Sequence, residues 1–269
     1  MKRLCSLMLI ALLVMGGAVQ AAQDLPFQTS FESGDLSDWF WGNDTNTSVI
    51  NSTQAYDGNY CVRMNFSATE NWDNYQDYYF GDHANIGSHT RGEAADELWL
   101  KFSVKYDSAT LPTNKQKLAL INFTNGVDNQ RHYQVMVYNY NGEFVIEHSY
   151  IDNWRFFMLH QNVGDTVSRV RPGQWDTLKL YMRPNTPGSS DGIVRLWVNN
   201  ELKIDYTNVN LRENTNYNPN KLIMSSWVDV NMTSQSGSLL EDAYYLGEVD
   251  PDAGATELSP PSAPVLLNN

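Results

Sequence analysis

"GQWDTLKLYMRPN" (residues 173–185) decides the fold class. Leu178, Leu180 and Met182 alternate with Thr177, Lys179, Tyr181 and Arg183. Successive strand residues point to opposite faces, so this stretch is a strand with one oily face. Its other face carries an ammonium, a phenol and a guanidinium, a surface suited to gripping a ligand.

The same alternation recurs in both directions from this strand. It is present in Leu98–Tyr106, Tyr133–Tyr140, Phe144–Tyr150, Ile193–Val198 and Leu222–Val228. Turn signals separate these runs: Asn141-Gly142, Pro172-Gly173, Pro187-Gly188, Asp191-Gly192 and Asn199-Asn200. Asn141-Gly142 is the clearest hairpin turn, because both residues tolerate the positive φ that a tight hairpin requires. Helical periodicity is confined to a single turn's worth of chain near Asn208–Asn214. The pattern predicts an all-β chain, an antiparallel two-sheet β-sandwich of jelly-roll type.

The ends differ in composition from the middle. Met1-Lys2-Arg3 precedes a 12-residue apolar run, Leu4–Met15, and the small-residue site Val19-Gln20-Ala21. That order predicts a secretory signal peptide over residues 1–21, too short to span a bilayer. Residues 22–250 form the sandwich domain, and Pro/Ala/Ser-rich residues 251–269 read as a C-terminal tail or linker in which Asp250-Pro251-Asp252 does nothing specific. The expected location is extracellular or periplasmic, and the expected state is a soluble monomer with no membrane contact.

Removing the leader takes away Lys2 and Arg3 and leaves 16 basic and 31 acidic residues, a net charge of −15. Such acidity argues against a nucleic-acid partner. It also means that an anionic ligand needs a local cluster of cations. Cys61 alone remains in the mature chain, which excludes an intramolecular disulfide and reads as a buried strand residue.

Sorting each strand by its oily row leaves a second set of side chains: Lys101, His132, Gln134, Tyr138, Tyr140, Lys179, Tyr181, Arg183, Arg195 and Trp197. If their strands are neighbours, these residues floor a groove in which rings stack on sugars and cations and amides take hydroxyls or carboxylates.

"SFESGDLSDWF" (30–40), "DELWLKFSVKYD" (96–107) and "PGQWDTLKLYMRPNTPGSSDGIVRLWVNNELKIDYTNVNLRE" (172–213) resemble blocks of secreted concanavalin A-like jelly-roll domains. The last block is similar to the polysaccharide-lyase-like branch of that group. Its members include glucuronan, alginate and heparin lyases and also non-catalytic carbohydrate-binding domains. The resemblance implies an acidic extracellular polysaccharide as partner. It also implies one structural calcium near the first and last strands, with Glu32, Asp57 and Asp242 as ligand candidates.

β-Elimination from a uronic-acid polymer needs a group that neutralises the sugar carboxylate, a base for the adjacent C–H and an acid for the leaving oxygen. Arg91, Gln134, Lys179, Arg183 and Arg195 are candidates for the first role. His132, Tyr138 and Tyr181 are candidates for the others. His132-x-Gln134-x-x-x-Tyr138 places three polar groups in one strand phase, with about 6.6 Å between alternate residues. Hydrolysis is the rival chemistry, but Glu143–Glu147 ("EFVIE") puts apolar residues where a middle acid belongs, so both glutamates read as solvated. A lyase requires the Lys179-Tyr181-Arg183 and His132-Gln134-Tyr138 rows to face one cleft. A non-catalytic binding or adhesion module on the same fold requires a flat aromatic platform instead.

Overall fold

The computed structural model describes residues 25–43, 45–67, 74–81, 95–106, 115–124, 131–151, 155–228 and 236–253. The segment expected to be a signal peptide (1–21), Arg91 and residues 254–269 lie outside the described residues.

Fifteen strands follow in order: β1 (Phe27–Thr29), β2 (Trp41–Asn43), β3 (Thr47–Asn51), β4 (Tyr60–Phe66), β5 (Tyr75–Tyr79), β6 (Leu98–Tyr106), β7 (Lys115–Thr124), β8 (Arg131–Tyr140), β9 (Glu143–Tyr150), β10 (Arg155–Leu159), β11 (Trp175–Arg183), β12 (Gly192–Val198), β13 (Glu201–Val209), β14 (Asn218–Ser225) and β15 (Gly237–Gly247). They form two antiparallel sheets. Sheet A runs β13-β12-β11-β6-β15-β4-β3, with β1 added against β15, and sheet B runs β10-β9-β8-β7-β14-β5-β2. This is the predicted two-sheet sandwich, of jelly-roll type.

The alternating rows do what period-two patterning dictates. Leu178, Leu180 and Met182 of β11 meet Leu98, Leu100 and Phe102 of β6 and Val194, Leu196 and Val198 of β12 in one buried layer. Tyr133, Val135 and Val137 of β8 come from the facing sheet into the same core. A slip of one residue would turn each row outward, so burial pins the register. Asn141 and Gly142 take φ of 52° and 80° and close the β8–β9 hairpin as their residue types predict. Cys61 is fully buried in β4.

Several polar groups inside the sandwich are bonded to one another. The Tyr106 hydroxyl donates to Gln116 at 2.5 Å and accepts from the Asn139 amide at 2.9 Å. Tyr244 stacks on Phe102 and donates its hydroxyl to the fully buried Glu241 at 2.7 Å. Burial pushes the Glu241 carboxyl well above the usual carboxylate range, which removes the cost of a buried charge.

Candidate functional site

The two polar rows expected to share a cleft lie on opposite outer faces of the sandwich. β11 belongs to sheet A and β8 to sheet B, and each turns its oily row inward, so the polar rows point away from each other.

On the outer face of sheet A the cations are already matched. Lys179 lies in register with Lys101 and Trp197, and its ammonium is 5.3 and 5.0 Å from the Trp99 and Trp197 rings. It pairs with Asp250 at 3.1 Å and Asp252 at 2.9 Å, while Lys101 pairs with Asp252 at 2.6 Å. Burial disfavours the charged Lys179, but the bonds to Asp252 and Asp250 outweigh it and hold its pKa above the ordinary lysine value. Arg195 pairs with Asp205 at 2.9 Å, Tyr181 donates to Glu97 at 2.7 Å, and Arg183 donates to the Asp191 carbonyl at 3.2 Å. Asp250-Pro251-Asp252 therefore has a specific place as the clasp of this face. In the row that looked built for an anionic sugar, Lys101, Lys179 and Arg195 are paired with the protein's own acids, and Arg183 is bonded to a backbone carbonyl.

Of the calcium-ligand candidates, Glu32 and Asp242 each bind backbone N–H groups of the 56–60 turn. Glu32 Oε1 accepts the backbone N–H groups of Asn59 and Tyr60, both at 2.8 Å, and Asp242 Oδ2 accepts those of Tyr56 and Asp57 at 2.9 and 3.0 Å. The two carboxylates clamp the 56–60 turn. A Cβ on Gly58 would come within 2.4 Å of the Glu32 carboxylate, so only glycine permits that clamp. Among the described residues no group of three or more His, Cys, Asp or Glu side chains is arranged to hold a metal.

Sheet B also pairs its lysines with acids, but sets them beside amides and a tyrosine hydroxyl. Its second face carries His132, Gln134, Met136, Tyr138 and Tyr140 from β8, yet Gln134, Met136 and Tyr138 are almost fully buried. Leu120, Met136, Tyr138, Val145 and Ile223 form a second apolar cluster here, with Tyr75, Tyr140 and Met158 packed against it. A polar row crosses the sheet beside this cluster. Ser149 of β9, Gln134 of β8, Asn122 of β7, Lys221 of β14 and Tyr79 of β5 are successive cross-strand partners. Gln134 Nε2 donates to Asn122 Oδ1 at 2.8 Å. At one end Lys221 pairs with the buried Asp77 at 2.7 Å, and the Tyr79 hydroxyl donates to the same carboxylate at 3.1 Å.

Towards the other end Lys115 pairs with Glu147, which is buried rather than solvated. The Tyr138 hydroxyl lies 3.4 Å from Glu147 Oε1 and 3.4 Å from Met136 Sδ. The ring therefore leans along β8 towards the row that holds Gln134, bringing its hydroxyl to about one side-chain spacing, roughly 6.6 Å, from that row. His132 begins β8 on this face and packs against the Tyr217 ring, with centroids 4.6 Å apart.

Two of the expected catalytic residues, His132 and Tyr138, and one binding residue, Gln134, thus share a face. Lys115, Glu147, Asn122, Asp77, Tyr79 and Lys221 complete it. Sequence reasoning read Glu147 as solvated and passed over the others because their phase relative to β8 depends on strand pairing. Lys115 and Lys117, alternate residues of one strand, were the available signal.

A family profile described as "Polysaccharide lyase" matches residues 31–222. Among solved structures, the chain is similar to an endo-β-1,4-glucuronan lyase from the fungus Trichoderma reesei, at 13% identity and TM-score 0.59, over 83% of this chain and 95% of that one. It is also similar to the alginate lyase vAL-1 from Chlorella virus, at 11% identity and TM-score 0.55, over 78% and 93% of the two chains. A third likeness is to the cellulose-induced protein Cip1, at 9% identity and TM-score 0.56, over 82% and 97%. These likenesses show the sandwich fold. No curated protein sequence matches this one. With the profile covering well over half of its length, the chain belongs to the polysaccharide lyase family.

Proposed function

We propose that the protein is an exported lyase that cleaves a uronic-acid-containing polysaccharide by β-elimination on the second face of sheet B. One observation carries this reading. A buried tyrosine hydroxyl, flanked by an ammonium and a carboxylate, shares one sheet face with a row of amides and a second ammonium.

Each group then has a role. Lys221, with Gln134 and Asn122 beside it in the row, neutralises the sugar carboxylate, so the neighbouring C5–H becomes acidic. The Tyr138 oxygen takes the C5 proton. The freed electron pair forms the C4=C5 double bond, the C4–O bond breaks, and the leaving oxygen takes its proton from the same hydroxyl. Lys115 beside the ring compensates the negative charge that passes through the phenol, and Glu147 keeps that ammonium in place. His132, at the start of the same strand face, contacts the chain beyond the reacting sugar.

The product is a carboxylate conjugated to a double bond, which absorbs ultraviolet light; hydrolysis and binding leave no such group. Purified protein incubated with glucuronan, alginate, heparin and pectate is expected to raise this absorbance on one of them, and Tyr138→Phe to abolish the rise. Slowed migration in a gel containing one of these polymers, with no rise on any, would make the protein a binding module instead.

A further inference from the structure

The polar row on sheet B has an exposed aromatic ring at each end. Phe156 of β10 is the cross-strand partner of Ser149, so it extends the row by one strand, and it is half exposed. Its ring lies 5.6 Å from the Lys115 ammonium, which places it on the face of the candidate site. At the far end Phe40, 40% exposed, packs its ring 4.7 Å from that of Tyr79, the last residue of the row. Its backbone N–H is tied to the Asp77 carbonyl at 2.8 Å, which fixes it beside the Asp77–Lys221 pair. An exposed aromatic ring at each end of a polar row can stack on a pyranose face.

We infer that Phe156 and Phe40 are the outer sugar-stacking platforms of the substrate site, with the polysaccharide running across the strands of sheet B between them. This rests on the lyase reading for the identity of the ligand. From β10 to β5 the row crosses five interstrand steps of about 4.8 Å, a span of roughly 24 Å. A site of that length engages an oligosaccharide segment rather than one sugar.

Phe156→Ala and Phe40→Ala test this, since both rings are exposed and their loss leaves the core intact. On the polymer that gives elimination, each variant is expected to raise KM about fivefold with kcat unchanged. The two effects multiply in the double variant because the rings are far apart. A trisaccharide of the same polymer, too short to reach both platforms, escapes at least one of the two effects. Affinity in a polymer-containing gel gives the same ranking without turnover. Wild-type elimination with unchanged KM and mobility in both variants would overturn the platforms while leaving the lyase standing. Gel retardation without elimination would remove the lyase reading, and weaker retardation of the variants would still support the platforms. Neither elimination nor retardation on any polymer would overturn both.

Discussion

Lys115 holds its ammonium 4.6 Å from the centre of the Tyr138 ring while pairing with the buried carboxylate of Glu147. The lysine comes from β7, the tyrosine from β8 and the glutamate from β9, so three adjacent strands must pair in register before the cluster exists. Such a cluster ties function to stability, because none of its members is well solvated.

Removing Lys115 strands the Glu147 carboxylate. Lys115→Ala is expected to lower stability by about 3 kcal/mol, the range for breaking one side of a buried pair. The double variant Lys115→Met/Glu147→Leu is expected to recover most of that loss in denaturant titration. It is not expected to recover elimination, since the charge beside Tyr138 stays absent.

Tyr138→Phe deletes one oxygen and keeps the ring in the Leu120–Met136–Val145–Ile223 cluster. Stability should change by about 1 kcal/mol or less. The initial rate of ultraviolet-absorbing product should fall about 100-fold or more, the usual worth of a proton-transfer group. A variant that keeps even a tenth of the activity would exclude Tyr138 as the acid and base.

Sheet A makes the opposite prediction. Lys179→Ala and Tyr181→Phe should leave the elimination rate within about twofold of wild type, because both residues lie on the far outer face. Lys179→Ala should cost about 1 kcal/mol of stability, and the cost should shrink in high salt, since Asp250 and Asp252 are only partly buried. Loss of activity in Tyr181→Phe would place the site on the wrong sheet.

His148 gives the fold a pH dependence of known sign. Burial pushes its pKa down to about 4, against 6.5 for the free side chain, while a ring N–H donates to the Leu211 carbonyl at 3.2 Å. Between these values the unfolded chain binds a proton that the folded protein refuses. Stability is therefore complete above pH 6.5 and is lost as pH falls towards 4, by up to about 3 kcal/mol. Asp242, pushed up to about 6 by burial, acts in the opposite sense, gaining stability as pH falls through 6. Comparing wild type with His148→Gln by thermal melts from pH 4 to 7.5 isolates the histidine: the variant should lose much less stability on acidification.

What the sequence determined by itself is the part written in local periodicity. Leu178, Leu180 and Met182 had to be a strand face because alternation needs only the chain's own geometry, and Asn141-Gly142 had to be a turn because of φ. The same logic put His132, Gln134 and Tyr138 on one side of β8. Short strands escaped it: the three residues of β2 are too few to show a period, and the apolar residues of "RFFML" in β10 do not alternate. Partnership between strands far apart in sequence was decided only in three dimensions. No local pattern says that β11 pairs β6 in one sheet while β8 pairs β7 in the other, and that choice sent two similar polar rows to opposite sides. It gave Lys179 to Asp250 and Asp252, turned Glu147 from a solvated residue into the buried partner of Lys115, and lined up Gln134, Asn122 and Lys221 from three strands. Burial and charge pairing follow from which chains of atoms meet, and they meet only after the sheets have formed.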